Sequence, residues 1–280
     1  MPIDYEHLMS LRTRGERVQY TDRDTLLYSL GVGLGRDPAA RLEAPYLHAS
    51  VGLRTVPSQA SVLVGSQLLD DCGWHAAEVS LRDEAFLLER PIDDSGILLV
   101  DTDVASVLDR GAQGGALVTQ ESRVRRERDG THLFTVRRTW LAGADGGFGG
   151  PRGRPDGVVN AQPRLPARRP DMLIGCDTRA DQALLFGLSA GRGRTRQVAG
   201  VALLDGLALQ GIACVAILRE ICEYDHTLIR SFACTLTGVA SPGEALVAEL
   251  WQDANVVSCR LRVPGRDVVV LDEGRCILAA

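Results

Sequence analysis

Lysine is missing from all 280 positions, so each of the 31 basic residues is an arginine. That excludes chemistry built on a lysine amine, whether a Schiff base, a lysine nucleophile or the lysine of a phosphate-binding loop. No run approaches the length of uninterrupted apolar sequence needed to cross a bilayer, and Asp4 and Glu6 stand where a secretory leader would be basic and then apolar. The expectation is a cytoplasmic protein without a membrane span. No cysteines pair as CxxC, the usual half of a structural zinc site. The seven that occur (Cys72, Cys176, Cys214, Cys222, Cys234, Cys259 and Cys276) form an odd set, expected to be reduced and mostly buried. Histidine is scarce, with five in the chain and none between His132 and His226. A net charge of −5 excludes a general nucleic-acid binder.

What remains is the balance of a soluble globular protein, 45% apolar and 24% charged, at a length that predicts two domains. Residues 144–176 read as the connector. Gly146, Gly147, Gly149, Gly150 and Pro151 open it, and Arg152, Arg154, Pro155, Pro163, Pro166 and Pro170 continue it, a density that cannot build a core. The domains are then 1–143 and 177–280.

The two flanking segments begin alike. Thr21 and Asp24 precede Leu26-Leu27-Tyr28-Ser29-Leu30, and Thr178 and Asp181 precede Leu184-Leu185-Phe186-Gly187-Leu188. Each reads as a helix start with a Thr cap and an Asp in place of the usual Glu, and the repetition predicts an internal duplication. In the second half, residues 204–224 are apolar on nearly all sides with Gly206, Ala208, Gly211, Ala213 and Ala216 interleaved, which predicts a buried helix. Strand-like runs follow at 227–237, 245–252, 255–263 and 267–279. The first half repeats the strands at 78–88, 96–110, 116–127 and 132–142. Its helix is harder to find, because Gly52 and Pro57 interrupt residues 46–64. Gly31-Val32-Gly33-Leu34-Gly35 is superficially like a dinucleotide loop, but it follows a helical pattern and fails that reading.

This order resembles the MaoC-like, hydratase-2 family over nearly the whole chain. Tyr20-Thr21-Asp22-Arg23-Asp24 through Gly33 and Asp37-Pro38, the turn Gly147-Phe148-Gly149-Gly150, Asp181-Gln182-Ala183-Leu184-Leu185, and the closing Asp267 to Gly274 are similar to it. The resemblance implies an α+β double hot-dog fold, two antiparallel sheets each wrapped on a central helix, with the helix eroded in the N-terminal half. It implies (R)-specific hydration of a trans-2-enoyl-CoA or the reverse dehydration of a 3-hydroxyacyl thioester, the first domain taking the acyl tail and the second carrying the hydratase-like site. No cofactor is expected beyond the coenzyme A or phosphopantetheine of an acyl-CoA or acyl-carrier-protein substrate. The assembly implied is a homodimer or a pseudo-dimeric monomer.

The family's catalytic loop runs Leu-Ser-Gly-Asp-x-Asn-Pro-Leu-His, followed by Leu-His-Gly-Leu at the start of the buried helix. Hydration must deliver a proton to Cα while activating water at Cβ, which the Asp and His share, and the helix N-terminus holds the enolate oxygen. Here the loop reads Leu188-Ser189-Ala190-Gly191-Arg192-Gly193-Arg194-Thr195-Arg196, so Gly191 and Arg196 stand at the Asp and His positions. Leu204-Asp205-Gly206-Leu207 replaces the later motif. Asp205 reads either as a helix cap or as a replacement acid or base, with Ser189 as a second catalytic candidate. Gly191, Arg192, Arg194, Arg196 and Gly206 are candidates for contact with the substrate, the arginines through its phosphates. The alternative is a catalytically inactive pseudoenzyme that binds acyl thioesters or partners an active homologue. His48, His75 and His132 read as structural or surface residues, and His226 as an imidazolium suited to the end of the buried helix.

Overall fold

The computed structural model describes residues 3–37, 40–49, 52–65, 67–69, 72–153, 165–189, 197–198 and 201–279. In chain order the first half holds α1 (Tyr5–Ser10), β1 (Arg12–Tyr20), α2 (Asp22–Gly31), α3 (Ala44–Leu47), β2 (Val79–Leu88), β3 (Gly96–Asp109), β4 (Ala116–Arg126) and β5 (His132–Ala142). The second holds β6 (Met172–Gly175), α4 (Gln182–Ser189), a short ladder of β7 (Gln197–Val198) with β8 (Val201–Ala202), α5 (Gly206–Glu220), β9 (Ile229–Leu236), β10 (Val247–Asp253), β11 (Val256–Val263) and β12 (Val268–Leu278).

Among the described residues, ten strands join one sheet in the order β1-β3-β4-β5-β2-β9-β12-β11-β10-β6, antiparallel throughout. The duplication is visible in that order. If each half's strands in this sheet are numbered from its own start, leaving out the β7–β8 ladder, both halves read 1-3-4-5-2 from the outer edge, and they meet along β2 and β9, where Phe86 pairs with Phe232. This is the double hot-dog architecture that the sequence predicts. Alternation drives it: along β11 every second residue is buried, which turns Val257, Cys259, Leu261 and Val263 to the core.

The helix α5 is buried continuously from Leu207 to Leu218. Its small residues allow close approach; a Cβ on Gly211 would stand 2.3 Å from Val32 Cγ1. Among the described residues the first half has no such helix. In its place stands a 3-10 turn, Pro57–Ser61, which Pro57 starts and which ends after five residues. Sheet side chains meet its carbonyls. Arg138 of β5, fully buried, donates to the carbonyls of Ser61 and Val64 and pairs with Glu84 of β2, and Gln120 Nε2 donates to the Gly65 carbonyl at 2.9 Å. The Thr102 and Ser122 hydroxyls extend this polar band across β3 and β4. A guanidinium beside the carbonyl end of a short turn satisfies the orphan acceptors that a longer helix would satisfy itself.

Two helix starts that look alike in sequence differ in structure. At α2 the expected capping box forms: Thr21 Oγ1 accepts from Asp24 N–H, and Asp24 Oδ2 accepts from Thr21 N–H at 2.8 Å. At α4 it does not. Thr178 Oγ1 donates to the Glu244 carbonyl and accepts from Gly243 N–H, tying the chain to the turn before β10 instead, while Asp181 pairs with Arg179. The helix therefore begins only at Gln182, whose amide donates to the carbonyls of Leu30 and Gly31 and so locks α4 against the end of α2.

Strand β6 lies inside the stretch read from sequence as a connector, where it edges the second half's sheet beside β10. Six of the seven cysteines are buried and Cys176 is half-buried. Among the described residues, no helix is long and apolar enough to cross a membrane.

Candidate functional site

A cavity of about 390 Å³ opens where the two halves meet at the N-terminus of α5. The start of β2 (Val79, Ser80, Leu81) and Trp140 of β5 form one wall, and the exit of β9 (Leu236, Thr237) with the first turn of α5 (Asp205, Gly206, Leu209) forms the other. Position follows from topology, because the seam between β2 and β9 ends here and the buried helix starts against it.

Asp205 caps α5. Its backbone is extended, and Oδ1 accepts from Leu207 N–H at 2.9 Å, so the simpler of the two expectations for this residue is met. The carboxylate nonetheless borders the cavity. The N–H groups of Gly206 and Ala208 find no acceptor among the described residues, which leaves two donors at the positive end of a helix of 15 residues. A Cβ on Gly206 would lie 2.3 Å from Leu236 Cδ1, so a larger residue there pushes the flexible end of that side chain aside. Such a corner can hold a carbonyl oxygen that gains negative charge.

Ser189 ends α4, where its hydroxyl donates to the Phe186 carbonyl at 2.8 Å, and it does not border the cavity. The structure thus brings Asp205 and Gly206 together and leaves Ser189 apart. Gly191, Arg192, Arg194 and Arg196 lie outside the described residues. Ser80 and Trp140, which sequence reasoning missed, come from the first half. Only the pairing of β2 with β9 brings them opposite α5, and no local pattern signals that.

No histidine borders this cavity. His226 borders a separate open groove with Arg54, Asp93, Asp94 and Arg128. Burial, and then the nearby Arg54 charge, lower its pKa, so it is held neutral rather than as the helix-end imidazolium that the sequence suggests. His75 is held at the junction after β5, where its Nδ1 lies 2.6 Å from the buried Asp145 carboxylate. Among the described residues, no group of three or more His, Cys, Asp or Glu is placed to hold a metal ion.

No protein-family profile matches the chain. It is 31% identical over 281 residues to the 3-hydroxyacyl-thioester dehydratase Y of Mycobacterium tuberculosis, covering 91% of this chain and 92% of that protein. It is 29% identical over 289 residues to the enoyl-CoA hydratase ChsH3 of the same organism, covering 98% of each. Among solved structures, the MaoC-like dehydratase from Phytophthora capsici superimposes with a TM-score of 0.82 at 19% identity, covering 99% of this chain and 98% of that one, a likeness of fold.

Proposed function

The chain belongs to the MaoC-like, hydratase-2 family, and on that premise we propose that it binds 2-enoyl and 3-hydroxyacyl thioesters in the cavity at the N-terminus of α5. One observation carries this reading: Gly206 opens the helix at a cavity walled by both halves, and its N–H and that of Ala208 have no acceptor among the described residues. The thioester carbonyl accepts from those donors, which favour the enolate over the ground state and so serve addition or loss of water at Cβ. The acyl group enters as a coenzyme A or carrier-protein ester, and no separate cofactor is needed.

Within this site the hydration step falls to Asp205. Its carboxylate takes a proton from water as the oxygen bonds to Cβ, and returns that proton to Cα as the enolate collapses, so atoms and charge balance. Residues 188–204 supply no other carboxylate and no imidazole. A second reading, binding without turnover, is favoured by the bond that Asp205 already makes to Leu207 N–H and by the anion's position beside a developing oxyanion.

The test is to mix the purified chain with crotonyl-CoA and longer 2-enoyl-CoA esters. Loss of the conjugated-thioester absorbance is followed in one cell and heat of binding in another. Turnover abolished by Asp205→Asn supports the hydratase, and saturable binding without turnover supports the pseudoenzyme. Neither heat nor turnover with any ester overturns the thioester reading.

A further inference from the structure

The walls of the α5 cavity lead inward to a polar layer. Leu81 of β2 pairs with Trp140 of β5 at the cavity, and past the bulge in β2 the next pair on that face is Glu84 with Arg138. On β9, Leu236 borders the cavity, and Cys234, two residues inward, pairs with Glu84. On α5, Gly206 borders it, and one turn further along the same face stands Gln210. The 3-10 turn Pro57–Ser61 packs against α5, β2 and β5, and Arg138 donates to its Ser61 carbonyl.

Some of these groups are unspent. Gln210 and Ser61 are both fully buried, yet both amide atoms of Gln210 and the Ser61 hydroxyl have no hydrogen-bond partner among the described residues. Buried polar atoms in folded proteins are nearly always paired, and an exception marks a place where something else supplies the partner. A plain alkyl chain pushed into this layer would strand those atoms against hydrocarbon. An oxygen-bearing chain would satisfy them.

We propose that the acyl chain this protein takes carries a hydroxyl or oxo group in its tail, recognised by the Gln210 amide and the Ser61 hydroxyl; the inference rests on the thioester reading above. One turn of α5 rises about 5.4 Å, which sets that oxygen roughly four to five bonds beyond the carbonyl held at Gly206. The polar layer is then a specificity filter. A site built to hydrogen-bond a substrate oxygen discriminates strongly against the analogue that lacks it.

The experiment is calorimetric titration of the full chain with hex-2-enoyl-CoA and with 5-hydroxyhex-2-enoyl-CoA, repeated on Gln210→Leu and Ser61→Ala. The hydroxylated ester is expected to bind at least about tenfold tighter to the wild type, with the advantage lost in Gln210→Leu and reduced in Ser61→Ala. Binding of both esters with the plain one equal or tighter overturns the polar-tail inference and leaves the thioester reading standing. An advantage that survives undiminished in both variants also overturns it. If neither ester binds, the thioester reading fails and takes this inference with it. Should Gln210→Leu not fold, the wild-type preference and the smaller Ser61→Ala change decide the outcome.

Discussion

Arg138 Nε stands 2.9 Å from Glu84 Oε2, and both side chains are closed to solvent. The same guanidinium caps the carbonyls of Ser61 and Val64, so one residue neutralises a buried carboxylate and completes a turn that replaces a helix. Arg138→Met should therefore destabilise the protein by about 3–5 kcal/mol, because it takes the cation from a buried carboxylate and the donors from two carbonyls. The double change Glu84→Leu with Arg138→Met should cost less than the single one. Urea unfolding of the three proteins measures both values.

Gly31 holds α2 against α4. A Cβ there would meet Phe186 Cα at 2.9 Å and Phe186 N at 3.2 Å, and backbone cannot swing aside. Although alanine is the better helix former, Gly31→Ala should lower stability by about 1–3 kcal/mol. A midpoint in urea unchanged from wild type would show that the two helices are not in contact.

Gly206→Ala acts on the site instead. Its Cβ would displace the flexible end of Leu236, which borders the cavity. Thioester affinity should fall about tenfold to a hundredfold, with stability within about 1 kcal/mol of wild type. Calorimetric titration with crotonyl-CoA, paired with urea unfolding, reads the two effects separately.

Burial sets the response to alkali. It pushes the Cys214 thiol up to about 11 and the Cys222 thiol up to about 12. Unfolded thiols ionise near their ordinary value of about 8.5, so above that pH the unfolded chain loses protons that the native one keeps. Their contribution is complete below the unfolded value and is lost as pH rises towards 11 and 12. Stability should fall between pH 9 and 11 by more than about 1 kcal/mol per pH unit. Cys176, half-buried and raised to about 11, should react slowly with a thiol reagent at pH 8 while the protein is folded.

Much of the fold is legible in the sequence because it is local. Eight strands, β2 to β5 and β9 to β12, declare themselves by alternation and by Pro/Gly punctuation, and α5 by its all-round apolar face. Strand β1 hides because it edges the sheet with most of its residues exposed, and β6 hides because four residues in a proline-rich stretch carry no period. Thr178 misleads for a different reason, since its hydroxyl finds a tertiary partner on the Glu244 carbonyl and the helix starts later. Of the site, Asp205 and Gly206 are readable from the motif they replace. Ser80, Trp140 and the Glu84–Arg138 pair are not, because only the meeting of strands far apart in sequence brings them to α5.

Binding and chemistry both depend on a thioester carbonyl seated at the start of α5, which a crystal structure of the chain with crotonyl-CoA would reveal. The carbonyl oxygen should stand about 3 Å from the N–H groups of Gly206 and Ala208, with the acyl carbons between Leu81 and Leu236. Crotonyl-CoA bound instead in the separate pocket of about 270 Å³ beside Val32, Ile212 and Arg219 would contradict it.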